Sequence, residues 1–365
     1  MRAFVFSGPR PPVGHRRFGL LPRWLPRYIG RRCAGGHDGR PTSLDASPGA
    51  DAGPSDRDAG PPPPASPLVD PNCLDGRFSE PLPDPSASLA DLEAAFGGTP
   101  PRAFIESVLG RRYGTGRLLV ENGVHPGIGD CVQVFLRDSS SPTAIYGELS
   151  TIVHECGHFY DLAEGSGSRS VFVINDAPLR LSCSGGDTTS RGDQTFARSR
   201  IRDDEFQPLR PPGRGGDFYA EVYLDGDPDD ATFQGGDQGF NSLLEETVQY
   251  VNSLATSYAF TNELNRGGAS SQRDGILTFL WYLTRYLRMA RLRFEPAYAH
   301  LVSGDGGGWR GAVLPVWGRA WLYLEVTRGM SHLGISDREL EMLATEPELL
   351  AEIQRLRDAA GCAAP

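Results

Sequence analysis

The feature that most constrains this chain is a pair of histidines four residues apart, in His154-Glu155-Cys156-Gly157-His158. Residues at that spacing lie one above the other on a helix, so both imidazoles can reach a single tetrahedral ion only if the segment is helical. The surrounding residues agree. Ile145, Leu149, Ile152, Cys156 and Phe159 recur at three- and four-residue steps, and Ser141 stands as a cap before Pro142. Together they predict an amphipathic helix over 142–162. Glu155, turned about 100° from His154, points along the same cleft, where a carboxylate can take a proton from water. The competing reading is two histidines satisfied in a helix interface.

The rest of the 365 residues divides at about residue 85. Residues 1–85 are poor in apolar side chains, rich in Pro and Gly, and include the run Pro61-Pro62-Pro63-Pro64. They predict a disordered N-terminal segment and tether ahead of a folded domain over 86–365. Cys33, followed by a Gly/Ala/Asp/Ser/Pro stretch, resembles the lipidated cysteine and tether of bacterial lipoproteins, although Gly30-Arg31-Arg32 departs from a lipobox. That layout implies export and a possible lipid tether, without a standard signal peptide as written. Cys73, Cys131, Cys183 and Cys362 could then pair in three ways, while Cys156 is expected to be a core thiol facing away from the metal side.

The net charge of −10 argues against nucleic acid or an anionic membrane surface as partner. The longest apolar run, Ile276 to Leu283, is too short to span a bilayer. Helical patterns cover Arg102 to Arg111, 241–264, 273–293, 310–328, 337–344 and 347–360, with a short capped helix at Ser88 to Leu92. Val132 to Leu136 reads as the best strand, with Leu118 to Glu121 and Val171 to Ile174 as weaker ones. The expected fold is α+β: a helix-rich domain with a small sheet, and a polar, glycine-rich region over about 164–240.

The pentapeptide matches the metallopeptidase pattern His-Glu-x-x-His, and the segment resembles the active-site helix of the zincin superfamily. The metzincin continuation is missing, because Phe159, Tyr160, Asp161 and Leu162 follow His158. The resemblance is therefore to gluzincins, and over about one helix to the lethal-factor type of toxin peptidase. It implies a zincin-like domain holding one Zn2+ through His154, His158 and a downstream glutamate, with Glu155 as general base. Glu246, in Leu243-Leu244-Glu245-Glu246-Thr247-Val248-Gln249-Tyr250, is the leading third ligand, and Glu245 and Glu221 are alternatives.

Tyr250, four residues after Glu246, could donate to an oxyanion or buttress that ligand, or be core packing. Asp161 could orient a ligand, and His125, His300 or His332 could serve the oxyanion. The implied activity is a zinc-dependent peptidase hydrolysing peptide or protein substrates by metal-activated water. The alternative is a catalytically inactive zincin-fold protein used for binding or envelope assembly.

Overall fold

The computed structural model describes residues 78–166, 169–176, 179–184, 239–264, 271–303, 308–335 and 337–362. Glu221 and most of the polar region lie outside these residues. In chain order the helices are α1 (Ala90–Ala94), α2 (Pro101–Arg112), α3 (Gly114–Asn122), α4 (Cys131–Phe135), α5 (Pro142–Tyr146) and α6 (Leu149–Glu164). After two short antiparallel hairpins come α7 (Gly239–Ala259), α8 (Gln272–Arg293), α9 (Glu295–Val302), α10 (Trp309–Val326), α11 (Asp337–Ala344) and α12 (Pro347–Ala360). The first hairpin pairs β1 (Val124–His125) with β2 (Gly129–Asp130); the second pairs β3 (Arg169–Val173) with β4 (Arg180–Ser184), in the register Val171 opposite Ser182. The fold is the α+β, helix-rich type expected.

The core is organised around α7. Its Leu243, Leu244, Val248, Val251 and Leu254 are buried, and it packs on α6, α8 and α10. Its polar residues are buried as well, among them Glu245, Glu246, Gln249 and Asn252, so this central helix brings polar groups into the interior. The apolar run of α8, Ile276 to Leu283, is likewise fully covered, and Trp281, Trp309, Trp317 and Trp321 are among the largest buried side chains. Among the described residues no helix is long and apolar enough to cross a membrane.

Three local expectations are corrected. Val132 to Leu136 is not a strand: Cys131–Phe135 is helical, started by the Asp130 carboxylate accepting from the Val132 N–H at 2.8 Å. Burial of Cys131, Val132 and Phe135 on one side outweighs the β-propensity of the segment. Leu118 to Glu121 belongs to α3, with Leu119 and Val120 buried. The helix expected over 142–162 is two helices. Ser141 caps α5 by accepting from the Ala144 N–H, and the chain resets at Gly147 and Glu148, where the Glu148 carboxylate accepts from the Arg137 N–H at 2.7 Å.

Cys156 is also not a free thiol. It forms a disulfide with Cys131, Cα to Cα 5.1 Å, which ties α4 to the middle of α6. Gly123 makes room for it, since a Cβ there would overlap Cys131 Sγ and Cys156 Cβ. A helix of five residues is not stable alone. Closing the 25-residue separation is worth about 3.5 kcal/mol on the chain-entropy model, enough to hold such an element in place. Cys362 is disulfide-bonded as well, and Cys183 is a free, buried thiol.

Residues 78–85, which composition groups with the N-terminal segment, are packed against the domain. Phe78 and Leu82 lie on the core, and Glu80 is buried. Arg319 of α10 donates from Nε to the Glu80 carboxylate at 3.0 Å, and the Tyr323 hydroxyl donates to it at 2.6 Å.

Candidate metal centre

α6 and α7 cross with their polar stripes facing each other. From α6 come His154 and His158; from α7 comes Glu246. The two Nε2 atoms are 3.1 Å apart, and the Glu246 carboxylate oxygens lie 3.4 Å from His154 Nε2 and 3.6 Å from His158 Nε2. One ligand atom from each of the three lies within 4.8 Å of the others. Four ligands at zinc's usual nitrogen and oxygen distances form a tetrahedron with edges of about 3.3 Å. The separation of the two Nε2 atoms is close to that edge, and each Glu246 oxygen lies near it from one of the two imidazoles.

The far sides of the imidazoles are fixed. His158 Nδ1 donates to Glu245 Oε1 at 3.0 Å. His154 Nδ1 is 3.2 Å from Ser253 Oγ, whose own proton goes to the Ser150 carbonyl at 3.1 Å, so this Nδ1 is the donor. With both Nδ1 atoms donating, both Nε2 lone pairs turn inward, the tautomer a metal ligand needs. Glu245 and Glu246 face about 100° apart on α7. That divides their roles: Glu246 meets the inner nitrogens and Glu245 holds the outer side of His158. Ser253 follows Glu246 by seven residues, two turns on, and could have been found in the sequence from that spacing.

Glu155 is 3% exposed, and its Oε2 has no hydrogen-bond partner among the described residues. Burial pushes its pKa up to about 8, with His158 opposing and Glu246 reinforcing the shift. Burial disfavours a charged His158, but the Glu246 and Glu245 carboxylates outweigh it and hold that imidazole's pKa well above the usual value. Burial, reinforced by the neighbouring His158, lowers the pKa of His154 against the opposing Glu246 carboxylate. Glu246 is held below the carboxylate range, because the His158 and His154 imidazoles more than offset its burial.

Gly157 and Gln249 explain how the helices come so close. A Cβ on Gly157 would overlap Gln249 Oε1. Gln249 Nε2 donates to Asp161 Oδ2 at 2.8 Å, and Asp161 Oδ1 accepts from the Val173 N–H at 2.8 Å. Asp161 therefore braces α6 against α7 and β3, and touches neither histidine by hydrogen bond. Gln249 was not singled out from sequence, since a lone Gln in a helix carries no pattern.

Comparison with protein-family models, curated proteins and solved structures finds no match. The chemistry of the side chains therefore has to carry the functional reading by itself.

Tyr250 sets its ring edge-on to His154, centroids 4.9 Å apart, and packs on Phe279. It lines a small cleft that opens beside His154 and Glu155. The other histidines are engaged elsewhere. His125 Nδ1 accepts from the Gly127 N–H, His300 donates to the Ser184 carbonyl, and His332 lies 3.4 Å from Thr261 Oγ1. None of them joins the His154–His158–Glu246 group.

Proposed function

We propose that this chain is a zinc-dependent peptidase. His154, His158 and Glu246 would hold the ion. The observation that carries the reading is the convergence of these three ligand atoms beside a buried Glu155 whose Oε2 has no partner among the described residues, at the edge of an open cleft. A structural site would close its fourth position with protein; among the described residues no fourth His, Cys, Asp or Glu joins these three, and a cleft opens beside His154 and Glu155.

A bound zinc would supply a Lewis acid that acidifies water and polarises a carbonyl. Glu155, with a pKa raised by burial, is suited to accept a proton from the attacking water and return it to the leaving amine. Glu245 and Ser253 keep the two imidazoles in the ligating tautomer. Tyr250 walls the cleft over His154, where its ring can align a peptide. The Cys131–Cys156 and Cys362 disulfides support an oxidising compartment, hence export, because such bonds are rare in reduced cytosol.

The test is the metal content of the full chain, wild type beside Glu246→Ala and Glu155→Gln, followed by cleavage of a peptide library. About one zinc per chain in wild type and Glu155→Gln, with loss in Glu246→Ala, is the expected result. Folded wild type that takes up no zinc would sink the reading.

A further inference from the structure

The cleft beside Glu155 has an unusual wall. Apart from His154 and Glu155 it is lined by Ser150, Thr151, Tyr250, Ser253, Ser271 and Gln272. All six are neutral and all carry hydrogen-bonding groups. They come from three helices: Ser150 and Thr151 from the first turn of α6, Tyr250 and Ser253 from α7, and Ser271 and Gln272 from the start of α8. Ser253 is committed to His154 and the Ser150 carbonyl, and Gln272 Nε2 donates to Ser150 Oγ at 3.4 Å. The hydroxyls of Thr151 and Ser271 have no hydrogen-bond partner among the described residues.

We infer that this cleft takes a small, uncharged, hydroxyl- or amide-bearing substrate residue (Ser, Thr, Asn or Gln) next to the reacting bond, with the Thr151 and Ser271 hydroxyls reading it. The inference rests on the peptidase reading and adds the substrate class. An acidic side chain entering here would find no arginine among the described lining residues to pair with. A large apolar side chain would strip water from several hydroxyls and return no hydrogen bond. A site that hydrogen-bonds a substrate hydroxyl discriminates against the analogue lacking it far more strongly than an apolar pocket discriminates by size.

The experiment uses the zinc-loaded full chain and quenched peptides of one Ala-Gly backbone, each carrying a single varied residue: Ser, Thr, Gln, Leu, Phe, Asp or Arg. Cleavage is followed with wild type, and binding of the same peptides with Glu155→Gln. The Ser, Thr and Gln peptides are expected to be cleaved and bound about tenfold better than the Leu, Phe, Asp and Arg ones. Thr151→Val, which keeps volume and removes the hydroxyl, and Ser271→Ala should each shift that ratio several-fold toward Leu. Cleavage with no preference, or with Leu or Phe preferred, overturns the specificity and leaves the peptidase reading standing. Binding with the polar preference but no cleavage upholds the specificity and removes the hydrolytic reading. Neither binding nor cleavage overturns both.

Discussion

Two buried charged clusters lie within this domain, and they are built on opposite terms. Around Arg319 every group is answered by protein. Its guanidinium donates to Glu80 at 3.0 Å, to Asn252 Oδ1 at 2.7 Å and to the Tyr113 hydroxyl at 2.9 Å, and Tyr323 completes Glu80. One positive and one negative side chain close the account, and the knot pins residues 78–85 to α10. Around His154 and His158 lie three buried carboxyl groups, Glu155, Glu245 and Glu246, and a fourth, Asp161, is held behind them by Gln249 and the Val173 N–H. That cluster has acid in excess and an inward-facing oxygen on Glu155 with no partner among the described residues.

The two clusters are joined, since Asn252 Nδ2 donates to Gln249 Oε1 at 2.9 Å and Gln249 reaches Asp161. A buried charge needs a partner, and the difference between the clusters is whether the chain itself supplies it. The self-satisfied one is suited to hold the fold; the acid-rich one is suited to receive a cation.

The sharpest way to break that contrast is Glu155→Gln. Removing the base should lower peptide cleavage by roughly 10²- to 10⁴-fold while zinc content stays unchanged, measured by steady-state kinetics and metal analysis. An equal loss of zinc would mean that Glu155 helps hold the ion.

The second test is Arg319→Met, which leaves Glu80 buried without its cation and should cost about 3–5 kcal/mol in urea unfolding. Pairing it with Glu80→Leu should recover much of that loss, because both charges then go together. A variant as stable as wild type would show that the knot does not carry the fold.

Glu245→Gln sharpens the comparison from the other side. Zinc affinity, measured by competition with a chelator, should fall about 10- to 100-fold. Unfolding of the metal-free protein should change little, since the variant also removes one of the crowded carboxylates. A large loss of metal-free stability with unaltered affinity would make Glu245 part of the scaffold.

The smallest effect concerns Cys183, the free thiol of β4. Burial pushes its pKa up to about 12, so its neutral form contributes stability that is present below the ordinary thiol value and lost as pH rises through about 12. Iodoacetamide at pH 8 should label it slowly in the native protein and quickly after unfolding. Rapid native labelling would place the thiol in contact with solvent.

Much of the site was legible because its signals are local. His154, Glu155 and His158 are fixed by one helix, and the Glu246-to-Tyr250 spacing follows from another. The choice between Glu245 and Glu246 was not legible, because it depends on the rotation of α7 against α6. Gly157 and Gln249 set that approach, and a glycine beside a glutamine 92 residues away leaves no mark in a periodic pattern. The strand expected at Val132 failed for the same kind of reason: Cys131, Val132 and Phe135 are buried by a disulfide-anchored contact with α6, and tertiary burial outweighs a propensity of under about 1 kcal/mol.

By itself, then, the sequence determined the helical character of the domain, the histidine pair with its glutamate, and the presence of a carboxylate-rich helix further on. These are short-range properties, set by spacing along a helix and by composition. Only the tertiary structure decided that Glu246 meets the inner nitrogens while Glu245 and Ser253 hold the outer ones. It also decided that Cys156 is bonded to Cys131, that Glu80 is buried against Arg319, and that the cleft wall is neutral and hydroxyl-rich. Each of these depends on contacts between residues far apart in the chain, where packing geometry and not local pattern selects the partner.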